Sequence, residues 1–194
     1  MSEPAGPEAT LRPPRKDWDR VTAIAAMAIG VVAVAVAAYT AIVQREQVRA
    51  QVWTRLFFGD SDVDRTVMVM NKGVGPARIE SLRVYVDGKA QPDWAHVYAA
   101  LGLPDNGHRI QSTINGSVVA ANERVDFLHF SDADDWNAFR SKAGRVQLRA
   151  CYCSVLDECM VFDERNAAHH RGAISSQVTP VDRCVRDDAE EFNE

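Results

Sequence analysis

A chain of 194 residues with 22 Lys and Arg against 27 Asp and Glu carries a net charge of −5. Residues 1–20 hold four charges of each sign and residues 21–43 hold none, so the acidic excess belongs to residues 44–194. An acidic domain is a poor nucleic-acid binder, because that binding depends on neutralising phosphates with a basic face. A domain of about 140 residues is large enough to bury its own core without a structural metal.

Residues 1–20 contain Pro4, Pro7, Pro13 and Pro14 with little that is apolar, and read as a disordered tail. Residues 21–43, VTAIAAMAIGVVAVAVAAYTAIV, lack any charge over 23 positions. At about 1.5 Å per residue such a run crosses the roughly 30 Å hydrocarbon core as a helix. Lipid offers the backbone no hydrogen-bond partners, so the helix must satisfy itself. A single transmembrane anchor is predicted. Trp18 stands before it, where an indole prefers the interface. Ala26 and Gly30 are small residues one turn apart, a spacing that allows homodimerisation by close helix pairing. Arg12, Arg15, Lys16 and Arg20 on one flank face Arg45, Arg49 and Arg55 on the other. This balance, with the free amino terminus, leans to a cytoplasmic N-terminus. Ala35-Val36-Ala37 fits a signal-peptidase site. The apolar run nevertheless exceeds a usual h-region, which favours an uncleaved signal anchor. Residues 44–51, QREQVRAQ, form helix readily and extend the anchor as a juxtamembrane collar. Trp53 either meets the membrane surface or starts the core.

Strand signals follow. Residues 52–58 and 66–70 are apolar runs bounded by turn residues. Asn71-Lys72-Gly73-Val74-Gly75-Pro76 turns the chain. Residues 77–86 form a longer strand in which Leu82, Val84 and Val86 alternate with Arg83 and Tyr85, the period of a sheet with one buried face. Ile79 is out of phase, which predicts a bulge near Glu80. After Asp87-Gly88 a short helix opens at Pro92, with Trp94, Val97, Tyr98 and Leu101 on one face. Residues 111–114 and 117–119 flank Asn115-Gly116 as a hairpin. Residues 124–130 form a strand. Ser131, with Asp134 three residues on, approximates a capping box for a second helix, whose face Trp136 and Phe139 anchor and which Gly144 ends. Residues 145–155 form the longest strand, Leu156-Asp157-Glu158 turns it and residues 159–162 return. Residues 163–183 are polar and irregular, and residues 185–194 form an acidic disordered tail. The expected fold is mainly β: one N-terminal transmembrane helix, then an antiparallel β-sandwich of immunoglobulin-like type over residues 52–184 with two short helices.

The order of anchor, Gln/Arg-rich collar, Ala50-Gln51-Val52-Trp53, Asn71-x-Gly-x-Gly-Pro-Ala77, residues 84–88, Cys151-Tyr-Cys153-Ser-Val-x-x-x-Cys159 and Cys184 resembles a group of uncharacterised bacterial single-pass membrane-anchored proteins with one small extracytoplasmic β domain. The resemblance covers residues 20–184 and implies architecture, with no activity attached.

Few residues point to chemistry. Gly73-Val74-Gly75-Pro76 lacks the Lys-Ser/Thr of a P-loop and the spacing of a dinucleotide fingerprint. His129, His169 and His170 stand near Asp132, Asp134, Asp135 and Asp163, a set that could hold a metal. Asp132 and Asp134 instead fit a helix start. Ser154 lies on a strand, and the chain has no G-x-S-x-G elbow. Asn115-Gly116-Ser117 is formally a glycosylation sequon, better explained by turn geometry. No catalytic, cofactor-binding or metal residue is expected.

The informative residues are Cys151, Cys153, Cys159 and Cys184. Their even number in a membrane-tethered domain predicts disulfides in an oxidising compartment. Zinc is disfavoured because Cys151 and Cys153 are one residue too close for the usual Cys-x₂₋₄-Cys spacing. Two apart on one strand, they share a face and cannot bridge each other without distortion. A turn centred on Leu156 sets Cys153 opposite Cys159 and leaves Cys151 for Cys184. The exchanged pairing, Cys151 with Cys159 and Cys153 with Cys184, differs by a one-step register slip and stays open. Together these features predict a non-enzymatic, membrane-tethered extracytoplasmic module of a bacterial inner membrane, binding a protein or an envelope component. An envelope hydrolase or metal-dependent enzyme, and a cytoplasm-facing regulatory domain, are the alternatives.

Overall fold

The computed structural model describes residues 16–104, 107–165 and 178–193. Its first element is one long helix, α1 (Lys16–Gln51). It is long and apolar enough to cross a membrane. One part of the expected tail of residues 1–20 is corrected here: residues 16–20 are helical, as Lys16-Asp17-Trp18-Asp19-Arg20 holds no helix breaker, and residues 1–15 lie outside the described residues. The collar, residues 44–51, continues the same helix. The chain divides into two compact units, residues 1–47 and residues 48–194.

The second unit is mainly β, with ten strands in two antiparallel sheets among the described residues. One sheet has the order β1 (Leu56–Ser61), β2 (Thr66–Asn71), β7 (Arg124–Phe130), β5 (Arg109–Gln111). The other runs β10 (Val178–Val181), β9 (Cys159–Asp163), β8 (Val146–Cys153), β3 (Ala77–Val86), β4 (Lys89–Gln91), with β6 (Val118–Val119) also on β3. Side chains from both sheets share one core that includes Leu56, Val69, Leu82, Val84 and Leu128. The rings of Phe58 and Phe162, one from each sheet, lie 4.8 Å apart. Helices α2 (Trp94–Leu101) and α3 (Ala133–Arg140) lie in the connections. The faces expected to be apolar are the buried ones: Trp94, Val97, Tyr98 and Leu101 on α2, Trp136 and Phe139 on α3.

Several expected boundaries move. The strand expected at residues 52–58 starts at Leu56, because the preceding residues bond to the Asn71 loop instead: Lys72 N donates to Arg55 O, and Val74 N to Trp53 O. The strands flanking Asn115-Gly116 do not form a hairpin, since β5 pairs with β7 and β6 with β3. Asp132, not Ser131, caps α3, its carboxylate accepting from Asp134 N and Asp135 N. Part of the segment expected to be irregular, residues 163–183, is β10, which pairs with β9 despite Pro180 because it is an edge strand.

The largest correction concerns the C-terminus. Residues 185–194 were expected to be a disordered acidic tail and the domain to end at Cys184, yet Phe192 is 1% exposed and Glu191 3%. The reason lies in β3. A register shift between Ile79 and Ser81 marks the bulge at Glu80. On the side away from β8, the strand is paired by β6 at its start and by β4 at its end, which leaves its middle open. Phe192 N donates to Leu82 O there, and Asn193 N to Pro92 O. The same segment covers the face of β3 that alternation marked as exposed. Arg83 Nη1 donates to Glu190 Oε2 at 3.0 Å and Nη2 to Val185 O, the Tyr85 hydroxyl donates to Glu190 Oε2 and the Ser81 hydroxyl to Glu191 Oε1. From Ser81 to Val86 both faces of the strand are therefore buried.

Candidate functional site

The cysteines gather on one face of β8 and β9. Ser154 builds the turn between these strands. Its N–H donates to Glu158 O, and its Oγ accepts from Leu156 N and Glu158 N. Asp157 takes the left-handed conformation, φ 58°. This closure places Cys153 directly opposite Cys159. Cys153 and Cys159 are bridged, with Cα atoms 4.0 Å apart, and Cys151 and Cys184 with Cα atoms 5.7 Å apart. Cys153 Sγ lies 3.6 Å from Cys184 Sγ. Neither sulfur carries a hydrogen, so this is packing of one disulfide on the other. The sulfurs of Cys153, Cys159 and Cys184 lie within 4.8 Å of one another. Ligation of a metal there would require thiolates, hence reduction of the bridges. Tyr152, between the two cysteines, points to the opposite face and is fully buried. Burial pushes its phenol above its ordinary range, with the Leu56 backbone opposing.

The Asn71 loop is a clamp. Asn71 is 0% exposed. Its Oδ1 accepts from Gly73 N at 2.9 Å, and its Nδ2 donates to Gly75 O at 2.8 Å and Val119 O at 3.0 Å. A Cβ on Gly75 would stand 2.4 Å from Val52 O, and one on Gly73 2.5 Å from Trp53 O. The glycines thus let the loop lie against the incoming chain. The amides of Lys72, Gly73, Val74 and Gly75 are all bonded within the protein, so the loop is structural and not a phosphate cradle.

A crevice of about 100 Å³ opens beside β1, β2, β8 and α3, lined by residues that include Asp60, Phe139, Arg140, Leu148 and Glu164. Glu164 Oε2 accepts from Leu148 N at 2.8 Å. Burial holds the Glu164 carboxyl above the ordinary carboxylate range; the Leu148 amide opposes this, and nearby Asp163 and Asp60 add to it. Arg140 bridges Asp60 and Asp62 at the rim. The arrangement favours the neutral form of Glu164 beside the ring of Phe139 and the aliphatic side chain of Leu148. Sequence reasoning missed it, since the lining comes from four separated segments and no local pattern joins them.

The histidine and carboxylate set does not come together among the described residues. Asp132 caps α3, and Asp163 is gripped by Arg165 at 2.8 Å and faces Arg149 at 3.4 Å. His129 lies on β7, opposite Thr66 and Ile110. His169 and His170 lie outside the described residues. Asn115 is tied down, its Nδ2 donating to Glu191 Oε2 and Phe192 O at 3.2 Å. No family model, curated protein or solved structure matches the chain.

Proposed function

We propose that this chain is a non-enzymatic binding module held at a bacterial inner membrane by one signal-anchor span, with its N-terminus cytoplasmic and its domain extracytoplasmic. The observation that carries the reading is a helix whose residues 21–43 are uncharged and whose apolar side chains are exposed, in a chain whose four sulfurs are paired. Paired sulfurs persist in oxidising compartments.

The strand orders support an immunoglobulin-like sandwich as the domain type. Taking β1, β2, β3, β4, β5, β7, β8 and β9 as A, B, C, C′, D, E, F and G, the first sheet reads A-B-E-D and the second G-F-C-C′. The strands β10 and β6 are additions. Domains of this class present rigid surfaces and loops to partners, and the partner here is a protein or an envelope component. Pairing of two copies through Ala26 and Gly30 belongs to the same reading, since small residues one turn apart let two helix backbones approach closely.

Protease added to cells with a permeabilised outer layer tests the placement. Residues 52–194 should be digested and the tail before α1 spared. A protected domain would place it in the cytoplasm. Crosslinking in native membranes then captures the partner.

A further inference from the structure

Beyond residue 51, eight large apolar side chains are exposed among the described residues, and five of them belong to one end of the domain: Trp53 at 48%, Val74 at 58%, Val118 at 57%, Val155 at 52% and Leu156 at 44%. Hydrogen bonds, ion pairs and strand register bring them together. Val74 N donates to Trp53 O at 2.9 Å. Arg49 Nε meets Glu158 Oε1 at 2.9 Å, which ties the chain before Trp53 to the turn carrying Val155 and Leu156. Arg78 binds Asp157 of that turn at 3.0 Å, and Val118 is its register partner on β6. This is the end at which the chain enters the domain.

We propose that this end rests on the lipid surface, with Trp53, Val74, Val155 and Leu156 inserted among the headgroups; the inference rests on reading residues 21–43 as a membrane span. Eight residues, 44–51, separate Val43 from Val52, and the nine steps between them span about 13 Å of helix. The headgroup layer takes up roughly 5–8 Å of that on one side. What remains is thinner than a single helix with its side chains, about 10–12 Å. A folded protein does not fit in that gap, whereas lipid headgroups do. Val52 and Trp53 already belong to the domain, packed against Gly75 and Gly73 closely enough to forbid a Cβ. An indole and branched aliphatic tips are the side chains that partition into the headgroup boundary. Insertion there restricts how the domain can tilt, and so fixes which face it offers to a partner.

The test uses the full chain, purified and reconstituted alone into vesicles of phosphatidylcholine and phosphatidylglycerol. The phosphatidylcholine carries a photoactivatable diazirine close to the glycerol. After photolysis, peptide mapping should find label in residues 21–43 and in the peptides holding Trp53, Val74 and Val155-Leu156. Those peptides should be labelled several-fold above the ones holding Val63 and Ile110, which are 93% and 62% exposed elsewhere on the domain. Label in residues 21–43 with the Trp53, Val74 and Leu156 peptides no higher than Val63 and Ile110 overturns the proposal and leaves the anchor standing. Absence of label from residues 21–43 overturns both. In a Val74→Asp, Leu156→Asp double variant, both changes on exposed loop tips, labelling of the Trp53 peptide falls toward the Val63 level; undiminished labelling there also overturns the proposal.

Discussion

Asn71 shows how much a single side chain can organise. One buried amide closes its own loop and ties that loop to β6, and two flanking glycines allow the backbone approach. A buried polar group is retained at such a site only if its donors and acceptors are matched, and these are. Glu164 is the opposite case, a half-buried carboxyl that burial and the nearby acids Asp163 and Asp60 push toward its neutral form. Its folded pKa lies above the unfolded value. The stability it contributes is therefore fully present below the unfolded pKa, about 4.3, and is lost as pH rises through the folded pKa. Glu164→Gln keeps an acceptor for Leu148 N and removes the titration. The variant should be more stable than the parent at pH 7, with the advantage vanishing below about pH 4. Urea unfolding across that range measures it, and an advantage that grows as pH falls would contradict the account.

Among the elements, β3 and the C-terminal segment form a pair that neither could form alone. The bulge at Glu80 and the gap between β6 and β4 expose backbone and two polar side chains, and residues 185–193 cover both. Phe192 anchors the cover, its ring edge-on to Trp94 at 5.1 Å and 1% exposed. Phe192→Ala should cost about 3 kcal/mol, the low end for a buried aromatic because a terminal segment can partly collapse into the space. A urea titration followed by near-ultraviolet circular dichroism reads this, and a loss under about 0.5 kcal/mol would mean that the segment does not dock.

For the whole molecule, the two bridges are unequal constraints. Cys151 and Cys184 are 33 residues apart and Cys153 and Cys159 only 6. Loop-closure entropy assigns on the order of 4 kcal/mol to the first and about 2 kcal/mol to the second. Replacing Cys151 and Cys184 together by Ser should therefore cost more than replacing Cys153 and Cys159. It should also loosen residues 178–193 first, because that bridge holds them to β8. Hydrogen exchange of the two double variants, compared peptide by peptide, checks both the order and the place. Equal losses spread evenly over both sheets would refute it.

The sequence by itself determined the features set by local pattern. An uncharged run of 23 residues needs no contact with the rest of the chain to form a helix where solvent offers its backbone no partners. Alternation along β3, the out-of-phase Ile79 and the apolar faces of α2 and α3 were legible because side-chain period follows backbone geometry directly. The turn at Leu156 set the register that opposes Cys153 and Cys159. Tertiary structure alone decided what depends on distant segments meeting. Arg83 and Tyr85 look like the wet face of a strand until Glu190 and Val185 arrive from about a hundred residues away. Residues 185–194 read as an acidic fringe because charge dominates a local window, while Phe192 needs the pocket beside Trp94 to show its role. The crevice at Glu164 is likewise invisible in sequence. Its walls come from β1, β2, α3 and β8, and no spacing rule links residues whose proximity exists only after two sheets pack.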